Sequence, residues 1–222
     1  IQEEDCAFMA DRGVNLLRIP VPYYIYGETG RPSSIDCLDR AFDWADKYGM
    51  KVLIDLHSVR GGQNGFDNSG ACGLCTWHKH PEYVEESLQL LEKLAKRYAV
   101  SPALFGIGPI NEPASENIMA LNVFLFKDKY PERVAQSEAV PDTFLKQFYL
   151  DVYRRIKPLL PKDAVIVLSD QFVKTCHSLE QCLDFLLNLC LRLGTDNLVY
   201  HLTALEEEDG RDTHDAVFGS SF

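Results

Sequence analysis

The sequence predicts an α/β fold, an eight-stranded parallel (β/α)8 TIM barrel of which this chain carries about strands two to six. Three observations lead there. Apolar runs of strand length alternate with helical-period segments along the chain, the pattern of parallel βαβ units. Polar residues gather where those strands end, at Arg18, His57, Asn111 with Glu112, and Asp170. Strand ends converging on one face are what a barrel presents. Finally, no Gly-x-Gly-x-x-Gly follows any strand, which argues against a doubly wound dinucleotide fold.

Taken in order, Glu3 to Arg12 has a ragged apolar face (Cys6, Phe8, Met9, Ala10) and reads as a helix stopped by Gly13. Val14 to Ile19 is a strand, followed by a loop with Tyr23, Tyr24 and Tyr26. Ser33 or Ser34 caps a helix through Tyr48, with Leu38, Phe42 and Ala45 inward and Gly49 as its stop. Lys51 to Leu56 is a strand that delivers His57. A loop of about twenty residues follows, long for a compact domain. Pro81 opens a helix with Val84, Leu88, Leu91, Leu94 and Tyr98 at helical spacing. A strand spans Ala103–Ile107, and residues 115–141 form an insertion without a clear period. A helix over Asp142–Lys157, a strand over Ala164–Leu168, a helix over Ser178–Leu193 and a strand over Asn197–His201 complete the alternation. The whole reads as one domain, a fragment of a barrel, with residues 206–222 as an irregular tail.

A net charge of −11 gives no footprint for nucleic acid. No apolar run approaches the roughly 18 residues of a membrane span. The seven cysteines are odd in number and scattered, which points to reduced thiols and a cytoplasmic setting, with secretion as the alternative. The run Cys72-Gly-Leu-Cys75-Thr-Trp-His78-Lys-His80 holds soft ligands of the kind zinc takes. A second close-spaced pair is missing, so neither a metal nor any other cofactor is expected. Oligomeric state is not legible.

The chemistry concentrates at Pro109-Ile110-Asn111-Glu112-Pro113. An acid and an amide stand side by side where a strand gives way to a loop, and Pro113 cannot continue a ladder. A carboxyl group so placed can serve as a general acid.

Several motifs carry a resemblance. They are Gly13-Val14-Asn15-Leu16-Leu17-Arg18-Ile19-Pro20, Ile54-Asp55-Leu56-His57, Gly62-Gln63-Asn64-Gly65-Phe66-Asp67-Asn68-Ser69-Gly70, Ile110-Asn111-Glu112-Pro113 and Ser169-Asp170-Gln171-Phe172. In this order and spacing, over about residues 1 to 172, the chain resembles glycoside hydrolase family 5, most closely its exo-β-1,3-glucanase branch. The resemblance implies a retaining hydrolase of β-glucosidic bonds in β-1,3-glucan or short β-glucosides, with Glu112 as acid/base. Asn111 would hydrogen-bond the sugar 2-hydroxyl, Arg18 would support the nucleophile, and His57 would line the subsite of the cleaved sugar. Phe66 and Asn68 would contact glucose by stacking and by hydrogen bonds. Plainer roles stand beside these. Arg18 could pair a structural acid, His57 could bond a backbone carbonyl, and Phe66 could be a packing anchor. Tyr23, Tyr24, Tyr26 and Trp77 could border the cleft or cover the barrel rim.

The pattern breaks at the second carboxylate, which a retaining glycosidase needs about 5 Å from the first. No Gly-Glu-Trp-like run is present, and Glu206, Glu207 and Glu208 beside Asp209-Gly210 read as a solvated turn. His201 leads into Leu202-Thr203-Ala204-Leu205, where the family places a His and a Tyr. The nucleophile is therefore expected outside this chain. A non-catalytic carbohydrate-binding barrel is the alternative.

Overall fold

The computed structural model describes residues 2–28, 30–169 and 171, together with the backbone of 198–202, 205–206, 212–213 and 216–219. Its centre is a parallel sheet of β1 (Leu16–Pro22), β2 (Lys51–Ser58), β3 (Leu104–Gly108), β4 (Val165–Ser169) and β5 (Leu198–Leu202). The strands lie side by side in chain order. A doubly wound sheet reverses its order at a switch point, so strand order alone decides for the barrel type. β2 is buried on both faces over Val52–Leu56, as a parallel strand covered by helices must be.

The helices bury the stripes that their sequences spell out. In α1 (Glu3–Ala10) only Cys6 is buried. In α2 (Ile35–Lys47), Leu38, Ala41, Phe42 and Ala45 follow the i, i+3, i+4, i+7 rule and are buried. α3 (Pro81–Tyr98) buries Leu88, Leu91, Leu94 and Tyr98, and the Tyr98 ring stacks on Phe42 at 4.0 Å.

Residues 115–141, expected only as an insertion without a clear period, contain α4 (Glu116–Phe126) and α5 (Pro131–Val134). Ser115 caps α4 by accepting from the Ile118 N–H at 3.4 Å. Glu-Asn-Ile-Met-Ala-Leu-Asn-Val-Phe-Leu-Phe is apolar nearly all round, so no single stripe marks it as a helix. Its outer side leaves Leu121, Val123, Phe124 and Leu125 exposed. Towards the C-terminus, β6 (Leu205–Glu206) pairs with β7 (Asp212–Thr213), and β8 (Ala216–Gly219) lies antiparallel on β5. The outer edge of β5 presents unpaired backbone groups that an extended apolar segment can satisfy.

After α4 and α5, α6 (Asp142–Ile156) packs beside α3. β1 starts later and runs further than expected, through Pro20 and Pro22. Its ladder to β2 continues to Tyr23, whose N–H donates to the Ser58 carbonyl at 3.0 Å. The expected helix over 178–193, Asp170, Glu207 and Glu208 lie outside the described residues.

Trp77 is a core residue and not a cleft border. It is fully buried, its indole N–H donates to Ser87 Oγ at 3.1 Å, and Phe144 and Phe148 meet it edge-on. Beside it, burial pushes the Cys75 thiol up to about 12 and the His78 ring down to about 4. A thiol so disposed resists the deprotonation that zinc binding requires. Among the described residues no three His, Cys, Asp or Glu side chains cluster as metal ligands, and no helix is long and apolar enough to cross a membrane.

Two outcomes follow. Trp77→Ala should cost about 3–5 kcal/mol in a denaturant titration, since the cavity is walled by rings that cannot collapse. Acidification should also weaken the fold through His78. The unfolded ring takes its proton near 6.5 and the folded ring only near 4, so stability falls as pH drops through that window. After discounting for the partial exposure of the ring, the loss is roughly 1 kcal/mol, and a His78→Phe variant should not show that component when melting is followed against pH.

Candidate active site

The C-terminal ends of β1 to β4 bring the predicted residues together. Beyond β3 the ladder is carried one step further, the Asn111 N–H donating to the Leu56 carbonyl at 3.1 Å. This places Asn111 and Glu112 beside the end of β2. A period of two puts Asp55 and His57 on one face of β2. Gly108 sits opposite Asp55 in the register, and a Cβ there would lie 3.2 Å from Asp55 Oδ1.

Asp55 is the buried hinge of the cationic side. Its Oδ2 accepts from His57 Nδ1 at 2.6 Å and pairs with Arg18 Nη2 at 3.1 Å. The same guanidinium donates to Asn111 Oδ1 at 2.6 Å. A guanidinium has only donors, so the oxygen of Asn111 must face it. The amide nitrogen of Asn111 is thereby turned toward Glu112, 3.4 Å from Oε2. Arg18 thus pairs with Asp55 and also orients Asn111. His57 meets a carboxylate and not a backbone carbonyl.

Glu112 is held at its tip and along its backbone. Asn68 Nδ2 donates to its Oε2 at 3.0 Å. Asn64 Nδ2 donates to its carbonyl at 3.1 Å, and its own N–H donates to Ser169 Oγ at 3.2 Å. Gln63 Nε2 binds the carbonyls of Asn111 at 3.0 Å and His57 at 2.8 Å. Glu112 has φ +45°, a left-handed conformation found at no other described non-glycine residue. It also precedes Pro113, which pushes its neighbour toward extended backbone. Such a residue costs about 1–3 kcal/mol and persists only where its surroundings over-determine it.

The loop from Val59 to His80 supplies the clamps of Gln63, Asn64 and Asn68, and β4 supplies Ser169. Its glycines permit the close folding: Gly62, at φ +68°, lies so near the Leu74 carbonyl that a Cβ would sit 2.2 Å from the oxygen. Phe66 rests edge-on against Phe126 of α4, ring centres 6.1 Å apart, so one side of it is a packing anchor. Tyr23 and Tyr24 pack edge to face at 5.0 Å with the Arg31 guanidinium 4.3 Å over Tyr24.

All six expected residues therefore belong to one assembly. Arg18, Asn111, Asn68 and Glu112 are joined directly, His57 through Asp55, and Phe66 through Asn64, whose Oδ1 accepts from the Phe66 N–H at 2.9 Å. Sequence reasoning assigned no role to Asp55, Gln63, Asn64 or Ser169. For Asp55 the signal was present, an acid two places before a strand-end histidine. For the other three it was not, because only the folded loop reveals their partners.

Fold and site together define a parallel-barrel protein with a carboxylate held by side-chain amides on the C-terminal face of its sheet. The profile of the cellulase family, glycosyl hydrolase family 5, matches residues 1–175, and the chain belongs to that family. Similar proteins include glucan 1,3-beta-glucosidase 1 of Schizosaccharomyces pombe, 36% identical over 172 residues, 74% of this chain and 37% of the relative. A probable glucan 1,3-beta-glucosidase A of Emericella nidulans is 33% identical over 180 residues, 79% of this chain and 39% of the relative. The chain spans under two fifths of the length of both. In fold it resembles the rutinosidase of Aspergillus niger, with TM-score 0.63 at 24% identity over 79% of this chain and 49% of that one.

The Asp55 contact fixes the histidine. When neutral, His57 should carry its proton on Nδ1, facing the carboxylate, and leave Nε2 as acceptor. Long-range 1H–15N NMR of the ring should report that tautomer and should lose it in Asp55→Ala.

Proposed function

We propose that the protein hydrolyses β-glucosidic bonds by a retaining double displacement, with β-1,3-glucan or short β-glucosides as substrate. The observation that carries this reading is the Glu112 carboxylate held at a strand end, with two amides aimed at one oxygen. Fixing Oε2 leaves Oε1 to deliver a proton to the departing glycosidic oxygen. Glu112 then takes a proton from the water that releases the sugar, the same group serving as acid and base.

Asn111 has its amide nitrogen turned toward Glu112 by Arg18 and donates to the 2-hydroxyl, a contact that tightens as positive charge develops on the ring. Phe66 and Asn68 contact the sugar. Asp55 is engaged by both Arg18 and His57, which makes it a poor nucleophile. The reading gives the nucleophile's part to none of the described residues. The glucan 1,3-beta-glucosidase names of the relatives support the sugar and the linkage. A reducing cytoplasm is the proposed compartment, supported by free thiols at Cys6, Cys37, Cys72 and Cys75.

In the full-length protein, Glu112→Gln keeps the shape and removes the proton. Release of reducing sugar from laminarin should fall by about 10²–10⁴-fold, and unchanged release would refute the assignment. If the unaltered protein binds laminari-oligosaccharides without turning them over, a sugar-binding barrel is the better description.

A further inference from the structure

We infer that Asn64 is a positioning residue for the general acid, locking the left-handed backbone of Glu112 and tying it to the loop that bears Phe66 and Asn68. The inference rests on the glycosidase reading above and extends it to a residue that touches no substrate.

The linkage from Glu112 to Pro113 offers one polar backbone group, because proline has no N–H. That group, the Glu112 carbonyl, is met by Asn64 Nδ2 at 3.1 Å. The other end of the same amide, Oδ1, accepts from the Phe66 N–H at 2.9 Å. Asn64 is completely buried, so no solvent competes for either bond. A side-chain amide can donate at one end and accept at the other, which an ionised carboxylate or an aliphatic side chain of the same shape cannot.

The backbone of Asn64 is seated in turn by α4. The fully buried Asn122 donates from Nδ2 to the Asn64 carbonyl at 3.3 Å. The next residue, Gly65, stands at φ +75°, and a Cβ there would lie 1.9 Å from that same nitrogen. Four residues on, Asn68 reaches the tip of the carboxylate at 3.0 Å. One loop therefore grips Glu112 at both ends, and Asn64 sets the register between them. If the Glu112 peptide turns, its carboxyl leaves Asn68 and the point where the leaving oxygen must sit.

The test separates positioning from general damage by the leaving group. Laminaribiose has a sugar alkoxide that must be protonated as it departs, whereas 2,4-dinitrophenyl β-glucoside has a phenoxide that leaves unaided. Asn64→Asp in the full-length protein keeps the acceptor for Phe66 and places a second oxygen against the Glu112 carbonyl. For laminaribiose, kcat/KM, which reports the first displacement, should fall by about 30-fold. With the activated glucoside it should stay within about threefold, since that step asks nothing of the acid.

Equal losses on both substrates would mean that Asn64 only supports the fold, and no loss on either would mean that it holds nothing. Both results overturn the inference and leave the glycosidase reading intact. An unaltered protein inactive on both substrates overturns that reading, and the inference with it. Should Asn64→Asp fail to fold, Ser169→Ala removes only the hydroxyl that accepts the Glu112 N–H at 3.2 Å. It should show the same skew at about fivefold, and its absence there would likewise overturn the inference.

Discussion

A glutamate at φ +45° directly before a proline is the constraint on which the rest of the site depends. Neither the residue type nor its neighbour favours that conformation. It must be imposed from outside, and the imposing groups are side-chain amides from a distant loop together with a serine from the next strand. Gln63, Asn64 and Ser169 hold the backbone groups around Glu112 as if extending the sheet with side chains. The strain is thus met by buried hydrogen bonds whose loss would leave polar atoms unpaired.

This accounts for the length of the loop between Ser58 and Pro81. A short connection would join strand to helix without reaching the end of β3. The longer one folds over the face of the sheet, aided by left-handed glycines at 61, 62, 65, 70 and 73, and is pinned from behind by α4 and α5. The Cys75 N–H donates to Ser137 Oγ at 2.8 Å, and the Ser137 hydroxyl donates to the Gly73 carbonyl at 2.9 Å. The cysteines that could be taken for metal ligands belong to this packing.

The four central strands were legible to within a few residues, because a buried parallel strand is a short apolar run and little else reads that way. α2 and α3 were equally plain from their stripes. α4 was missed for the opposite reason: its apolar residues surround the helix and give no period. Arg18, His57, Asn111 and Glu112 were legible as strand-end residues whose chemistry stood out from their apolar context. Ser169 and Asn64 look like ordinary strand-end and loop residues in the sequence, and their importance lies entirely in what they touch.

The sequence by itself determined the class of fold, the face where polar side chains gather and the glutamate that stands among them. Hydrophobic period and strand-end polarity are local properties that survive unfolding. Only the tertiary structure decided how Glu112 is held, that Asp55 joins Arg18 to His57, and that Trp77 is core. These are contacts between residues tens of positions apart. Their geometry follows from strand register and loop closure, which no local pattern encodes.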